Sequence, residues 1–291
     1  MAPKPVNRTT VVSVCFNSSA VLKDLLASIP PGTTTILVDN GSQDLASTRE
    51  LADRHHAHLI CNASNAGFGA ACNQGAALSR SEFLFFVNPD SVLNATTLAR
   101  LESAADTHPT ASAFNPRIIN RRGASSFKRR SCLLKPEQIL PRTPPADDSE
   151  VAVLSGAALF VRARDFEQVG GFDSNIFLYH EDDDISLRLR QQAGPIWFIP
   201  AAEVMDLSGH SSGRSASVSA LKAWHMGRFL VYTTSTHQIP GAYRKALWSA
   251  VRQLLSPSTL LSKRKFYKNR AFFQGVLSAR EDRGAGYKPA P

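Results

Sequence analysis

Four successive carboxylates, Glu181, Asp182, Asp183 and Asp184, follow an aromatic lip of Phe177, Leu178 and Tyr179. A helix is expected to start within them. Ile185 and Leu189 are one turn apart, Asp184 can pair with Arg188 at i, i+4, and Gly194 suits the C-terminal stop. A helix N-terminus welcomes negative charge through its unpaired N–H groups and dipole, by about 0.3–1 kcal/mol for each acid. Two carboxylates about 4 Å apart repel by up to about 4 kcal/mol at an effective dielectric near 20. Repulsion wins unless some of the acids reach water, find a partner or hold a proton. A carboxylate with a raised pKa beside an aromatic lip is what a general base requires. An acidic run alone is more often a solvated helix start. The other polar residues of the chain decide between the two readings.

Asn17, Asp39, Asn65 and Asp90 each stand where an apolar, strand-like run gives out. Ligands of open α/β sheets bind beyond the carboxyl ends of the strands. Singly, each is an ordinary turn residue; together they outline a polar rim. Asp39 could accept the imide N–H of a uracil or thymine and a ribose hydroxyl. Gly67 and Gly69 lack a Cβ and would let backbone approach a ligand closely. Asn73 can both donate and accept. Asp90 could hold a hard divalent cation against a diphosphate. His210 sits among small residues between Asp206 and Gly213. A lone histidine is more often a packing residue than a ligand, but a chain that already offers a diphosphate-like site narrows that gap. Gly67-Phe68-Gly69 is not the dinucleotide fingerprint, which opens straight after the first strand.

The elements that must position these residues alternate. Strands are expected at Thr10–Phe16, Thr35–Val38, His58–Cys61 and Phe83–Val87, with helices over Ala20–Ile29, Asp44–His56 and Thr96–Ala105. A small-residue loop runs from Asn62 into a further helix. The stretch from Asn115 to Asp148 turns irregular and basic, with Arg117, Arg121, Arg122, Lys128, Arg129 and Arg130 before a proline-rich loop. It reads equally as a loop that meets phosphates or acceptor and as a solvated surface loop. Ala157–Val161 and Ile196–Ile199 return as strands. The alternation implies an open, mostly parallel α/β sheet flanked by helices, with right-handed crossovers.

The chain has 291 residues, 43% hydrophobic and 20% charged, enough for one large domain or one with an appendage. No apolar run approaches the ~18 residues of a membrane span, and MAPKPVNRTT lacks the apolar core of a signal peptide. The four cysteines show no metal spacing and read as reduced thiols of a cytoplasmic protein. The net charge of +9 is uneven: from Ala216 onward there are 13 Lys or Arg against two acids. Confining the basicity to the tail, beside a near-neutral body, argues against a nucleic-acid binder.

These residues resemble the family 2 glycosyltransferases with the GT-A fold, especially the rhamnosyl- and galactofuranosyltransferase branch. The likeness runs in order through VVSVCFNS, ILVDNGSQD, NAGFGAACNQG, FLFFVNPDS, SGAALFVRARDFEQVGGFDSNIFLYHEDDDISLRLR and GHSSGRS, about Thr10 to Ser215. The resemblance implies a GT-A type, Rossmann-like sheet over residues 1–215 and a helical basic region over 216–291. It implies metal-dependent, inverting transfer of a sugar from a nucleotide diphosphate donor. Asp39 would contact the pyrimidine, within a donor site that takes in Asn17, Asn65, Gly67, Asn73 and Asn88. Asp90 would be the surviving metal carboxylate of the family's Asp-x-Asp signature, and Asn88 stands where an Asp often does. His210 would complete the Mg²⁺ or Mn²⁺ site. Glu181 and Asp182 would be the family's Glu-Asp pair, with Asp182 the general base. Asp183, where an apolar residue is more usual, leaves the assignment among the acids open.

The donor implied first is dTDP-L-rhamnose, then UDP-galactofuranose or another UDP-sugar; the acceptor is a glycan or lipid-linked saccharide. A nucleotidyltransferase or an inactive nucleotide-sugar-binding relative are the rivals. Asp182, between like charges, is expected to carry the raised pKa, while Asp183 faces solvent and Asp184 pairs with Arg188. The segment 242–270, rich in Arg, Lys, Trp and Leu, reads either as peripheral contact with the anionic cytoplasmic membrane face or as a packed appendage with a solvated basic face. Oligomeric state is not legible.

Overall fold

The computed structural model describes residues 8–207 and 216–279. β1 (Thr9–Cys15), α1 (Ser19–Ser28), β2 (Thr34–Asp39), α2 (Leu45–Arg54), β3 (His58–Cys61), α3 (Phe68–Leu78) and β4 (Phe83–Val87) alternate along the first part of the chain. β1 pairs parallel with β2 and with β4, and β2 with β3. The apolar runs explain this arrangement. Phe83, Phe85 and Val87 enter one core cluster, while Leu84 and Phe86 enter the cluster on the other face. Val11 and Cys15 of β1 face the first cluster, and Val12 and Val14 the second. Strands covered on both faces need no polar alternation, which is how parallel sheets read.

β5 (Ser91–Leu93), α4 (Thr97–Thr107), β6 (Ala113–Asn120), β7 (Ser125–Ser126), β8 (Ser149–Val151), β9 (Ala158–Arg162), α5 (Ala163–Gln168), α6 (Glu181–Gln192) and β10 (Ile196–Asp206) complete the sheet and its cover. Strand order is β3-β2-β1-β4-β9-β6-β10-β5, with β7 on β6 and β8 on β10. From the pairing senses, β1 to β4, β6 and β10 run one way and β5, β7, β8 and β9 oppose them. The sheet is open and mostly parallel, as expected.

One expectation fails here. The stretch taken as irregular from Asn115 holds most of β6, although Asn115 and Pro116 interrupt its apolar pattern. Asn115 is buried because its amide is spent on backbone: it donates to Ser155 O at 3.0 Å and to Ala158 O, and accepts from Ser155 N. A satisfied buried amide costs little, so the strand passes through it.

The C-terminal part forms α7 (Ala216–Thr236), α8 (Ala242–Leu254), α9 (Pro257–Leu260) and α10 (Lys263–Ser278), around their own cluster of Ala223, Val231, Ala246, Ala250, Phe272 and Val276. α7 and α10 touch backbone to backbone. A Cβ on Gly227 would stand 2.2 Å from Phe272 O, and one on Gly275 2.0 Å from Trp224 O. Among the described residues, no helix is long and apolar enough to cross a membrane.

Candidate active site

The ends of the parallel strands bring the polar rim together. Asp39 closes β2 and is buried, 1% exposed. Its Oδ1 accepts from Gly41 N at 3.2 Å and Ser42 N at 2.9 Å, while Oδ2 is buried with no partner. A buried carboxylate oxygen left unpaired is costly, and a ligand donor would relieve it. Asn17, with φ +53°, accepts from Gln43 N at 2.9 Å and ties the loop after β1 to the loop after β2.

Several predicted donor residues turn out to build the loops themselves. Asn65 Oδ1 accepts from Gly67 N at 2.9 Å and from Asn40 Nδ2 at 2.9 Å. Asn40, missed by sequence reasoning, is the buried hub of this loop, since it also donates to Gly67 O and accepts from Ala66 N and Asn62 Nδ2. Its signal, an Asn directly after Asp39, was legible but reads as any turn residue. Gly67 and Gly69 admit other parts of the protein itself. A Cβ at Gly67, whose φ is +92°, would lie 2.7 Å from Phe177 O, and one at Gly69 2.9 Å from Phe172 Cβ. Both glycines thus make room for the protein's own Phe172–Phe177 segment, with Phe68 N donating to Phe177 O at 3.0 Å. Asn73 clamps the same segment: it donates to Phe172 O at 2.8 Å and accepts from Phe172 N at 2.9 Å.

Asp90, 5% exposed, lies just past β4, and among the described residues nothing hydrogen-bonds its carboxylate. Half-buried Asn88 donates from its backbone to Ala157 O at 3.0 Å. Next to Ala157, Gly156 N donates to Asp182 Oδ2 at 3.1 Å. The antiparallel β9 thus carries the Asp90 turn and the acidic helix to one place. Leu207 N donates to Asp90 O at 2.8 Å, which brings the end of the β10 segment to the same turn. His210, three residues on, lies outside the described residues.

α6 starts at Glu181, after His180 at φ +67°. Its acids find four different environments. Lys128 reaches in from the basic loop, its Nζ 2.6 Å from Asp182 Oδ2 and 2.7 Å from Asp183 Oδ1. The neighbouring Phe127 ring packs 5.0 Å from Phe198, and Arg129 Nε donates to Leu140 O at 3.1 Å, so this part of the loop is folded. Burial lowers the Lys128 pKa, but Asp182 and Asp183 outweigh it and hold the ammonium above the usual lysine range. Among the described residues Asp182 Oδ1 has no hydrogen-bond partner, whereas Oδ2 is fixed by Lys128 and Gly156.

The expectation that Asp183 faces solvent is overturned. It is 5% exposed, with Oδ2 2.9 Å from His180 Nδ1 and 3.5 Å from Cys132 Sγ. Burial would raise its pKa, but the His180 contact and the Lys128 charge drive it well below the usual carboxylate range. The carboxyl held above its ordinary range is that of Glu181. Burial, then the Asp182 charge, push Glu181 up to about 8, and its Oε2 is buried without a partner. Asp184 pairs with Arg188 as expected and also meets His237 Nε2, in the turn just after α7, at 2.7 Å.

Hard oxygen donors suit Mg²⁺ or Mn²⁺, and the unpartnered, nearly buried Asp90 carboxylate fits that role. Among the described residues, three metal-capable side chains converge at Cys132, His180 and Asp183. These already bond one another, burial and then the Asp183 charge push the Cys132 thiol far up, and an ammonium stands beside them. A soft thiol there does not fit a cation shared with a diphosphate.

Residues 10–170 match the family description "Glycosyl transferase family 2". The chain is 28% identical over 253 residues to an N-acetylglucosaminyl-diphospho-decaprenol L-rhamnosyltransferase of Mycobacterium tuberculosis, covering 76% of this chain and 82% of that one. It is 24% identical over 192 residues to the low-salt glycan biosynthesis hexosyltransferase Agl10 of Haloferax volcanii, covering 63% and 62%. Its fold is similar to that of the mannosyltransferase PcManGT of Pyrobaculum calidifontis, solved with GDP-Man and Mn²⁺, at 14% identity, TM-score 0.58 and coverage of 95% and 88%. S. aureus TarS follows at 16% identity, TM-score 0.56 and coverage of 97% and 94%. The architecture is that of the GT-A glycosyltransferases.

Proposed function

Because the chain belongs to glycosyl transferase family 2 and is therefore a nucleotide-sugar glycosyltransferase, we propose that it transfers L-rhamnose from dTDP-L-rhamnose. The proposed acceptor is a hydroxyl of a glycan or lipid-linked saccharide, with inversion at the anomeric carbon. The observation that carries this reading is the junction at β9, where the Asp90 turn and Asp182 are held one residue apart through Ala157 and Gly156. Leaving group and base thereby have separate carboxylates just past the carboxyl end of β4. The 28% identity to a protein named an L-rhamnosyltransferase supports the choice of donor sugar.

In this mechanism Asp39 Oδ2 accepts from the pyrimidine or ribose of the donor, which relieves its buried, unpaired oxygen. Asp90 and His210 would hold Mg²⁺ or Mn²⁺, whose chemistry is to offset charge on the departing diphosphate. The acceptor oxygen attacks the anomeric carbon as the bond to the diphosphate breaks. Its proton passes to Asp182, and Oδ1 is the oxygen suited to take it, since Lys128 and Gly156 hold Oδ2. Lys128 is a positioning residue that keeps Asp182 and Asp183 together. We assign transfer to residues 1–215 and support of the acidic helix to 216–291, through the His237–Asp184 contact.

A panel of nucleotide sugars tests this reading. In the presence of Mn²⁺, dTDP-L-rhamnose is expected to raise Tm the most and to be turned over with a saccharide acceptor. EDTA and Asp90→Ala are expected to abolish both effects. Turnover of UDP-galactofuranose but not dTDP-L-rhamnose replaces the donor; full activity in EDTA removes the metal role of Asp90 and His210.

A further inference from the structure

The C-terminal helices carry charge that no acid of their own balances. From Ala242 to Ala279 the sequence has eight Lys or Arg and no Asp or Glu. α8 buries Ala242, Ala246 and Ala250 against the bundle. The opposite stripe, at i, i+4 and i+8, consists of Arg244, Trp248 and Arg252, all exposed. Trp248 is 70% exposed, and the turns beyond α8 expose Leu255 at 65%, Leu260 at 65% and Leu261 at 89%. Large apolar side chains gathered beside cations are the composition of an interfacial membrane surface.

Between α8 and α10 lies an open hollow of about 410 Å³, into which Arg252, Lys265 and Lys268 converge with Ser256, Ser258 and Asn269. No carboxylate lines it, and among the described residues none of the three cations has an ion-pair partner. The rim is built rather than loose: Asn269 Nδ2 donates to Thr259 Oγ1 at 2.7 Å, and Thr259 Oγ1 donates to Gln253 O at 2.8 Å. Three like charges held around one hollow call for an anion with several acceptor oxygens.

We propose that this face docks on an anionic bilayer, with a phosphodiester headgroup in the hollow and Trp248, Leu255, Leu260 and Leu261 entering the interface. A free phosphate would gain nothing from the leucines. A nucleic acid backbone would meet the cations, but it would offer no apolar partner to Leu255, Leu260 and Leu261. Docking rests on this surface alone; its use, holding the active site against a lipid-linked acceptor, rests on the transfer reading above.

Flotation of the full chain tests the docking without donor or acceptor. The vesicles are phosphatidylcholine with or without a third of phosphatidylglycerol. Flotation with the anionic vesicles only is expected, with a blue shift of tryptophan emission that Trp248→Phe removes. Arg252→Ala/Lys265→Ala/Lys268→Ala should weaken vesicle binding by at least about tenfold, and more at low than at high salt. These side chains are exposed, so the melting curve should not move. Leu260→Ser/Leu261→Ser should weaken binding with its salt dependence unchanged. Equal flotation with neutral vesicles, or a triple variant that floats like wild type, overturns the proposal. Full competition by millimolar inorganic phosphate also overturns it, in favour of a soluble anion. Equally tight binding of a DNA duplex overturns it in favour of a nucleic-acid surface.

Discussion

At the scale of single residues, four adjacent carboxylates coexist because each is paired or holds a proton. Asp182 and Asp183 share the Lys128 ammonium, Asp184 has Arg188 and His237, and Glu181 keeps its proton. Asp182→Asn is expected to lower kcat by at least about 10²-fold while donor affinity and the melting curve hold. Asp183→Asn should do the reverse. It strips one partner from a buried ion pair, at about 3–5 kcal/mol in denaturant unfolding, and leaves turnover of the folded fraction within about tenfold. If Asp183→Asn is folded but inactive and Asp182→Asn is active, the base has been misassigned by one residue. Glu181 gives a pH signature. Its folded pKa of about 8 lies above the ordinary 4.5, so the folded state binds the extra proton. Its contribution to stability is therefore full below the unfolded pKa and is lost as pH rises through the folded value, at up to about 1.4 kcal/mol per pH unit. Glu181→Gln should flatten this slope, as read by urea midpoints across that window.

At the scale of elements, the acidic helix depends on pieces far away in sequence. The lip is held from two sides: Phe177 O takes a bond from α3, and its ring stacks 4.7 Å from His225 of α7. Tyr232 of α7 donates to Asp173 Oδ2 at 2.8 Å, and His237 reaches Asp184. α7 is in turn seated on α10 through Gly227 and Gly275. Gly275→Ala would drive a methyl into the Trp224 carbonyl, so the helices must separate. A loss of about 1–3 kcal/mol in stability is expected. Donor-dependent turnover should fall with it, because the His237 and Tyr232 contacts loosen the start of α6. Unchanged activity with a lowered Tm would show the bundle to be independent of the site.

At the scale of the whole molecule, the sequence by itself determined the layered sheet. Runs such as Phe83–Val87 are apolar on both sides, and only a strand covered on two faces makes sense of them. It also placed Asp39, Asp90 and the four acids at strand or helix ends, since each follows a completed apolar pattern. The amide and glycine roles were not legible, because Asn73 and Gly67 serve partners about a hundred residues away in the Phe172–Phe177 loop. The assignment of protons among the acids was also decided only by tertiary structure. It depends on Lys128, which sequence placed in an irregular basic loop and the fold delivers between Asp182 and Asp183. Periodicity records which face of an element is buried, so it fixes the layers. The charge state of a carboxylate depends on what stands within a few ångströms of it, and the chain brings those neighbours from anywhere along its length.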